Sequence, residues 1–300
     1  MKVLIAGFIT IDSIQLPMRK IMSVGGPPCY AGLVCARFGL DVTALTKVGN
    51  DFPDEQAVWL ARNGISLGAA DRSQIKPTTR FRIEKIGETR TLTLLSRCED
   101  ISNDQLKEMR YDASLVSPIA GEVTPALLTE ISARSDFTFL DPQGFVRKFD
   151  AGGRVSVGEL VDRSILPKVD ALKMDREEAE SLTGKVEPKD ALQKLSSIGV
   201  RRALVTSGAA LCHVLDGGRI YAIQVPAAQV VDSTGAGDIM AGTIVALYLK
   251  TRDFLWSACF GIAASSLSLH LIALAKVDLP MSVDDQAKRL YSTASPVSAV

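Results

Sequence analysis

Short apolar runs alternate along the chain with segments whose apolar residues recur every three or four positions. Residues 3–7 form an unbroken apolar run, the pattern of a strand covered on both faces. Pro27 and Pro28 stand where a helix can begin. Tyr30, Leu33, Val34 and Phe38 then recur at helical spacing, and Gly39 is a good stop. Residues 42–48 predict a strand, and 52–61 a helix closed by Asn63 and Gly64. The texture then changes. Residues 80–85 and 89–95 alternate or are β-branched around Ile86-Gly87-Glu88, which predicts a hairpin with one wet face. Beyond it, helices are predicted over 103–109, 125–133, 176–182, 189–197, 236–249, 257–271 and 283–290. Strands are predicted over 113–117, 137–140, 171–174 and 203–206, and 211–215 and 220–225 flank a second turn at Asp216-Gly217-Gly218. The tail after Tyr291 shows no pattern that would hold it.

Strands alternating with helices imply an α/β fold with a mostly parallel central sheet and helices on both faces. The early hairpin breaks that rhythm and reads as an extension outside the main sheet. With 300 residues and 47% hydrophobic side chains, the chain is expected to form one domain over 1–300. A soluble chain of this size buries roughly 75% of its unfolded surface, so no disulfide or metal staple is needed.

Equal numbers of basic and acidic residues, 34 each, argue against a nucleic-acid or membrane-surface partner, which would call for a basic excess. Five cysteines, an odd number with no CxxC pair, read as free thiols in a reducing compartment. Two histidines, His213 and His270, exclude a multi-histidine metal site within one chain and argue against a Ser-His-Asp triad. Lys2 followed by residues 3–11 imitates a short signal peptide, but Asp12 follows at once and no small-residue cleavage site appears. Residues 257–275 carry no formal charge, yet four serines and His270 fit a buried helix better than a membrane span. A cytoplasmic protein is expected.

The segment richest in chemistry is Val230-Val231-Asp232-Ser233-Thr234-Gly235-Ala236-Gly237-Asp238. An apolar strand end runs through small residues into a long apolar helix. Free N–H groups of a first helical turn, with the helix dipole, make an anion site, and phosphate is the usual guest. Asp238 is the odd member, since a carboxylate should repel a phosphate. Either it only caps the helix, or it accepts a proton from a hydroxyl that attacks the phosphate. A P-loop is excluded because no lysine follows Gly237, and the Rossmann fingerprint lacks its third glycine.

The stretch from Asp232 to Asp238 closely resembles the C-terminal signature of the ribokinase-like (PfkB) family of carbohydrate kinases. Other pieces fall in family order: Asp12 after the first strand, Gly25-Gly26 before a helix, Thr46-x-Val48-Gly49-x-Asp51, Asp175 to Glu180 with Leu182-Thr183-Gly184, and Val205-Thr206-Ser207-Gly208. The resemblance spans about residues 1–275 and implies a three-layer ribokinase-like fold with a small β lid, formed by elements at about 9–24 and 78–97. It implies that Asp238 is the base, that Gly235, Ala236 and Gly237 form the anion hole, and that Asp12 and Gly26 hold substrate hydroxyls. Thr234, Ser207 and Gly208 would face the phosphoryl donor. Lys173, two residues before Asp175, is either structural or points towards the donor phosphates. Glu178 would help organise Mg²⁺ through water. ATP is the implied donor, and lid closure would exclude water from the transfer. A homodimer through the lid is implied as well.

The departures bear on the acceptor. Asp175 replaces the asparagine of the family's Asn-x-x-Glu, Met240 a phenylalanine, and Thr243 a smaller residue. Tyr30 stands where ribose-specific members carry a sugar-binding asparagine, which argues against ribose. The segment from Leu140 to Arg147 resembles the archaeal inositol-kinase-like branch, and Arg147 either reaches substrate or lies on the surface. The expected acceptor is a small sugar, a polyol or cyclitol such as myo-inositol, or a nucleoside. Competing readings are a non-catalytic sugar- or nucleotide-binding member of the same fold and a dinucleotide-dependent oxidoreductase. The intact Asp238 argues against the first and the missing fingerprint against the second.

Overall fold

A computed structural model describes residues 1–16, 19–86, 89–106, 109–160, 162–208 and 210–297. The turn residues Gly87 and Glu88, and part of the helix expected over 103–109, lie outside the described residues. Among the described residues, ten strands make the central sheet. From one edge they run Ser295–Pro296, Arg219–Gln224, Leu211–Asp216, Arg202–Thr206, Ala171–Asp175, Thr138–Leu140, Ala113–Val116, Lys2–Ala6, Asp41–Val48 and Ile65–Arg72. The last seven of these pair in parallel, and the three at the first edge add antiparallel.

The first strand shows why the sheet is covered on both faces. Val3 and Ile5 pack in one core cluster and Leu4 and Ala6 in the other, because successive side chains of a strand point to opposite faces. On the first face lie helices Pro27–Arg37, Ala236–Thr251, Phe254–Ser268 and Ser282–Thr293, and on the second Pro125–Ala133, Arg176–Thr183 and Pro188–Ser197. Gly242 lets two helices of the first face touch. A Cβ there would lie 2.7 Å from the Cα of Ala31. Thr243, fully buried, satisfies its hydroxyl by donating to the Ile239 carbonyl at 2.7 Å, which is how the apolar helix accommodates it.

A separate four-stranded sheet is ordered Arg19–Gly25, Thr10–Leu16, Arg80–Ile86, Thr89–Ser96. The hairpin expected over 80–95 is therefore present, and a second hairpin, over residues 10–25, completes its sheet. Asp51 ties this sheet to the body. It accepts from the Thr78 N–H and hydroxyl, each at 2.7 Å, and from Arg80 at 2.6 Å.

Three local expectations are corrected. Residues 103–105 form a single 3₁₀ turn rather than a full helix, with Ser102 and Gln105 bonding each other's backbone in a capping box. The strand Ile65–Arg72 was not expected, since its Gly68 and polar positions suit an edge strand of weak apolar pattern. The tail is held: Ser295 and Pro296 pair with Ala222 and Tyr221. Residues 298–300 lie outside the description. No helix among the described residues is long and apolar enough to cross a membrane.

The chain leaves the first strand, builds the edge through Asp41–Val48 and Ile65–Arg72, then returns to the strand's other side with Ala113–Val116. The order reverses there. In open α/β sheets ligands bind at such a switch point, beyond the carboxyl ends of the strands.

Candidate active site

The loop after residue 230 is pinned before it reaches its helix. The N–H groups of Val231 and Asp232 donate to the Leu269 carbonyl at 2.9 and 3.2 Å, and Thr234 N–H donates to Asp232 Oδ1 at 2.8 Å. The helix Ala236–Thr251 then starts at Gly235, φ 74°, with no side chain capping it. The Ala236 N–H donates to the Ser233 carbonyl at 3.2 Å, which leaves the first-turn N–H groups of Gly237 and Asp238 for an anion. Gly235 is required twice, by its left-handed backbone and because a Cβ would lie 2.5 Å from the Tyr30 ring. A Cβ on Gly237 would lie 2.8 Å from Lys173 Nζ.

A second helix start opens beside it. Pro27–Arg37 begins at Gly26, φ 85°, again with no side-chain cap. A Cβ on Gly26 would meet the Phe8 carbonyl at 2.1 Å, and one on Gly25 would meet Asp12 Oδ2 at 2.3 Å. Gly25 thus makes room for the Asp12 carboxylate, which is 5% exposed, and Gly26 for the Phe8 carbonyl.

Two cavities meet at this place. One, about 200 Å³, is lined by Asp12, Gly26, Tyr30, Arg147 and Asp238, and is covered by Phe81, Ile83 and Leu92 of the small sheet. The other, about 450 Å³, is lined largely by apolar groups, among them Val225, Pro226, Ala228, Met240, Ile262 and Leu269. Lys173, Asp175, Ser233 and Gly237 line both.

The charges follow from burial. Burial, with the Asp141 charge adding, raises the Asp238 carboxyl to about 7, while Lys173 and Arg147 pull it down. The same two causes raise Glu178 to about 7. Burial alone would lower Lys173, but the charges of Asp141, Glu178 and Asp238 outweigh it and hold the lysine protonated. Its ammonium bonds Asp141 Oδ2 at 2.8 Å. Asp141 is fully buried, and its Oδ1 has no hydrogen-bond partner among the described residues. An uncompensated buried oxygen is costly, which marks this as a place where a ligand group or ordered water completes the network.

Glu178 is also structural. Its Oε2 accepts from the Asp175 N–H, and its own N–H donates to Asp175 Oδ1, both at 2.8 Å. Asp175 in place of asparagine therefore keeps the cap of helix Arg176–Thr183.

Of the residues singled out from the sequence, Asp12, Gly26, Tyr30, Arg147, Lys173, Glu178, Thr234, Gly235, Gly237 and Asp238 gather on the first cavity. Ala236 and Gly208 line the second. Ser207 lines neither. Arg147 also donates to the Ile119 carbonyl at 3.1 Å, so it is anchored rather than loose on the surface. Three residues are given no role by the sequence: Asp141 and Gln143, which lie within the Leu140–Arg147 segment, and Glu122. Glu122 is fully buried and accepts from the N–H groups of Phe8, Ile119 and Ala120, fixing the loop that presents Ile119 to the first cavity. Asp141 and Gln143 had a legible signal, their place just past the carboxyl end of a parallel strand. Glu122 had none.

The sequence profile of the pfkB family carbohydrate kinases matches residues 17–273. The chain belongs to the pfkB family of carbohydrate kinases. It is similar to a cytidine kinase of Thermococcus kodakarensis, 26% identical over 83% of this chain and 88% of that one. It is also similar to an inositol 3-kinase of Zea mays, 30% identical over 74% of this chain and 58% of the plant protein. A pyrophosphate-dependent kinase in the ribokinase family, solved with a pyrophosphate analog and myo-inositol, superposes with a TM-score of 0.79 at 19% identity. That structure covers 91% of this chain and 97% of its own. The pfkB-family chain thus has the ribokinase-like fold and is a phosphotransferase, so the oxidoreductase reading falls away.

Proposed function

We propose that this pfkB kinase transfers the terminal phosphoryl group of ATP to a hydroxyl of a small polyol or cyclitol, with Asp238 as the general base. The observation that carries the reading is the junction of two unlike cavities at Gly237 and Lys173. The first is small and carries Asp12, Arg147 and Asp238. At about 200 Å³ it lies below the roughly 300–1,000 Å³ of drug-sized sites, which suits a single polyol ring better than a nucleoside. The second offers an apolar wall to a base, which supports a nucleotide over bare pyrophosphate as donor.

Asp12 holds acceptor hydroxyls, and Tyr30 and Arg147 shape their pocket. The attacking hydroxyl gives its proton to Asp238 as its oxygen bonds the terminal phosphorus and the bond to the departing ADP oxygen breaks. The N–H groups of Gly235, Gly237 and Asp238 take up the phosphoryl charge, and Lys173 adds its ammonium; the Ala236 N–H, expected in the anion hole, is instead spent on the Ser233 carbonyl. Gly208 contacts the donor in the second cavity, and Thr234, which lines the first, faces the donor's terminal phosphate. The small sheet, with elements at about 9–24 and 78–97, acts as the lid of a single unit over 1–300 and excludes water. It is also the face of a homodimer, readable by light scattering.

Among the described residues no group of three or more acidic, histidine or cysteine side chains is spaced to hold a metal. Glu178 and Asp175 line the first cavity and would hold, through water, a Mg²⁺ carried by the donor phosphates. Bound there, the ion would neutralise phosphate charge.

The test is product formation by phosphorus NMR with ATP or pyrophosphate, across inositols, pentoses, hexoses and nucleosides. ATP-dependent phosphorylation of a polyol or cyclitol is expected. Transfer from pyrophosphate alone would overturn the donor assignment, a nucleoside as sole acceptor would overturn the acceptor, and ATP binding without any transfer would favour a binding protein.

A further inference from the structure

Lys276 lies in a short 3₁₀ segment, Ala273–Val277, away from every motif singled out in the sequence. Its side chain is fully buried. The ammonium stands 3.1 Å from Asp232 Oδ2 and donates to the backbone carbonyls of Asp232 at 2.5 Å and Thr234 at 2.8 Å. A simple ion pair needs only the carboxylate. Two carbonyls and a carboxylate turned onto one positive centre are instead the oxygen cage of a bound monovalent cation.

The peptide geometry says what this cage does. In a trans peptide the C=O and the following N–H point in opposite directions. Fixing the Asp232 and Thr234 carbonyls on Lys276 therefore turns the N–H groups of Ser233 and Gly235 away from it. Ser233 lines both cavities and Gly235 lines the first. The segment that delivers the lysine is itself constrained. Ala273, a non-glycine residue at φ 50°, donates its N–H to Asp232 Oδ2 at 3.3 Å. Such a backbone persists only where its surroundings over-determine it.

We infer that Lys276 is an internal cation that positions the anion-binding loop, so that this kinase needs no exchangeable potassium or ammonium ion to shape it. Lys276 is a positioning residue and touches neither substrate. The inference rests on the phosphoryl-transfer reading for its kinetic consequence only; the loop's need for a positive charge stands apart from it.

The experiment removes the lysine and returns the charge. Lys276→Ala, Lys276→Met and the wild type are compared in choline, potassium and ammonium chloride at constant ionic strength, by thermal unfolding and by turnover. Wild-type unfolding temperature and kcat are expected to be the same in all three salts. Lys276→Ala is expected to lose on the order of 100-fold in kcat in choline, as when an oxyanion donor is lost. Potassium or ammonium should restore at least tenfold of it, saturably, and raise the unfolding temperature. Lys276→Met fills the space without charge and should stay low in every salt. A Lys276→Ala protein that ignores all cations, or a wild type that potassium activates saturably, overturns the inference. If Lys276→Ala does not fold, the wild type decides it by the same two readouts. If no turnover is found at all, the unfolding temperatures still decide it.

Discussion

Asp238 shows how a residue's surroundings set its chemistry. Burial and the neighbouring Asp141 charge raise its carboxyl to about 7, so it loses its proton near neutral pH, where a general base works best. Only the deprotonated form can accept the hydroxyl proton, so activity falls as pH drops below that value. The expected kcat/KM profile rises about tenfold per pH unit up to about 7 and then levels. Glu178 is also raised to about 7, and both feel Asp141. The Glu178→Gln variant separates them: its profile should keep the rising limb, and loss of the limb would reassign the base. Gly235 makes a second case. Alanine there would adopt a left-handed backbone, costing roughly 1–2 kcal/mol, and would press on the Tyr30 ring. Gly235→Ala should unfold at lower temperature and lose most of its turnover, and unchanged turnover would remove the close fit from the mechanism.

Among the elements, the attachment of the small sheet is the most exposed to test. The Arg80 and Thr78 contacts outweigh partial burial and hold Asp51 at about 2. Such a group stabilises the fold above its unfolded value, near 4, and the contribution is lost as pH falls through about 2. Asp51 is about a third exposed, so water screens its contacts, and Asp51→Ala should cost about 0.5–1 kcal/mol at neutral pH, with the gap from wild type closing between about pH 4 and 2. Its acceptor KM should rise more than its ATP KM, because Phe81, Ile83 and Leu92 of that sheet cover the first cavity. Equal changes in both would separate the sheet from acceptor binding. The sheet also shows what the sequence makes legible. The hairpin over 80–95 has its own β-branched alternation, and the glycine loop reads directly because its small residues stand together just before a long apolar helix. Strand Ile65–Arg72 has neither signal and forms because Asp41–Val48 offers it an edge. The cage around Lys276 was illegible for another reason. Its carboxylate partner, Asp232, lies 44 residues away, and a single lysine ending an apolar stretch reads as a solvated flank.

At the scale of the whole molecule, two compartments share Lys173, Asp175, Ser233 and Gly237 as a common wall. The parallel strands bring Asp141 and Lys173 to one end of the central sheet, the small sheet adds Asp12, and two helix starts without side-chain caps, at Gly26 and Gly235, converge there. Acceptor and donor can then be perturbed separately. Ala228→Trp narrows the second cavity and should raise ATP KM about tenfold or more while leaving acceptor KM unchanged. An unchanged ATP KM would move the nucleotide elsewhere. The measurement that reaches the centre is the initial rate of ADP formation, with the acceptor found in the panel, for wild type and Asp238→Asn side by side, with ATP affinity measured by calorimetry on both. Loss of about 10²–10⁴ in kcat with ATP affinity within a few-fold of wild type is expected, since the N–H groups of the loop survive the change. Turnover of Asp238→Asn within tenfold of wild type would contradict the assignment of Asp238 as the base.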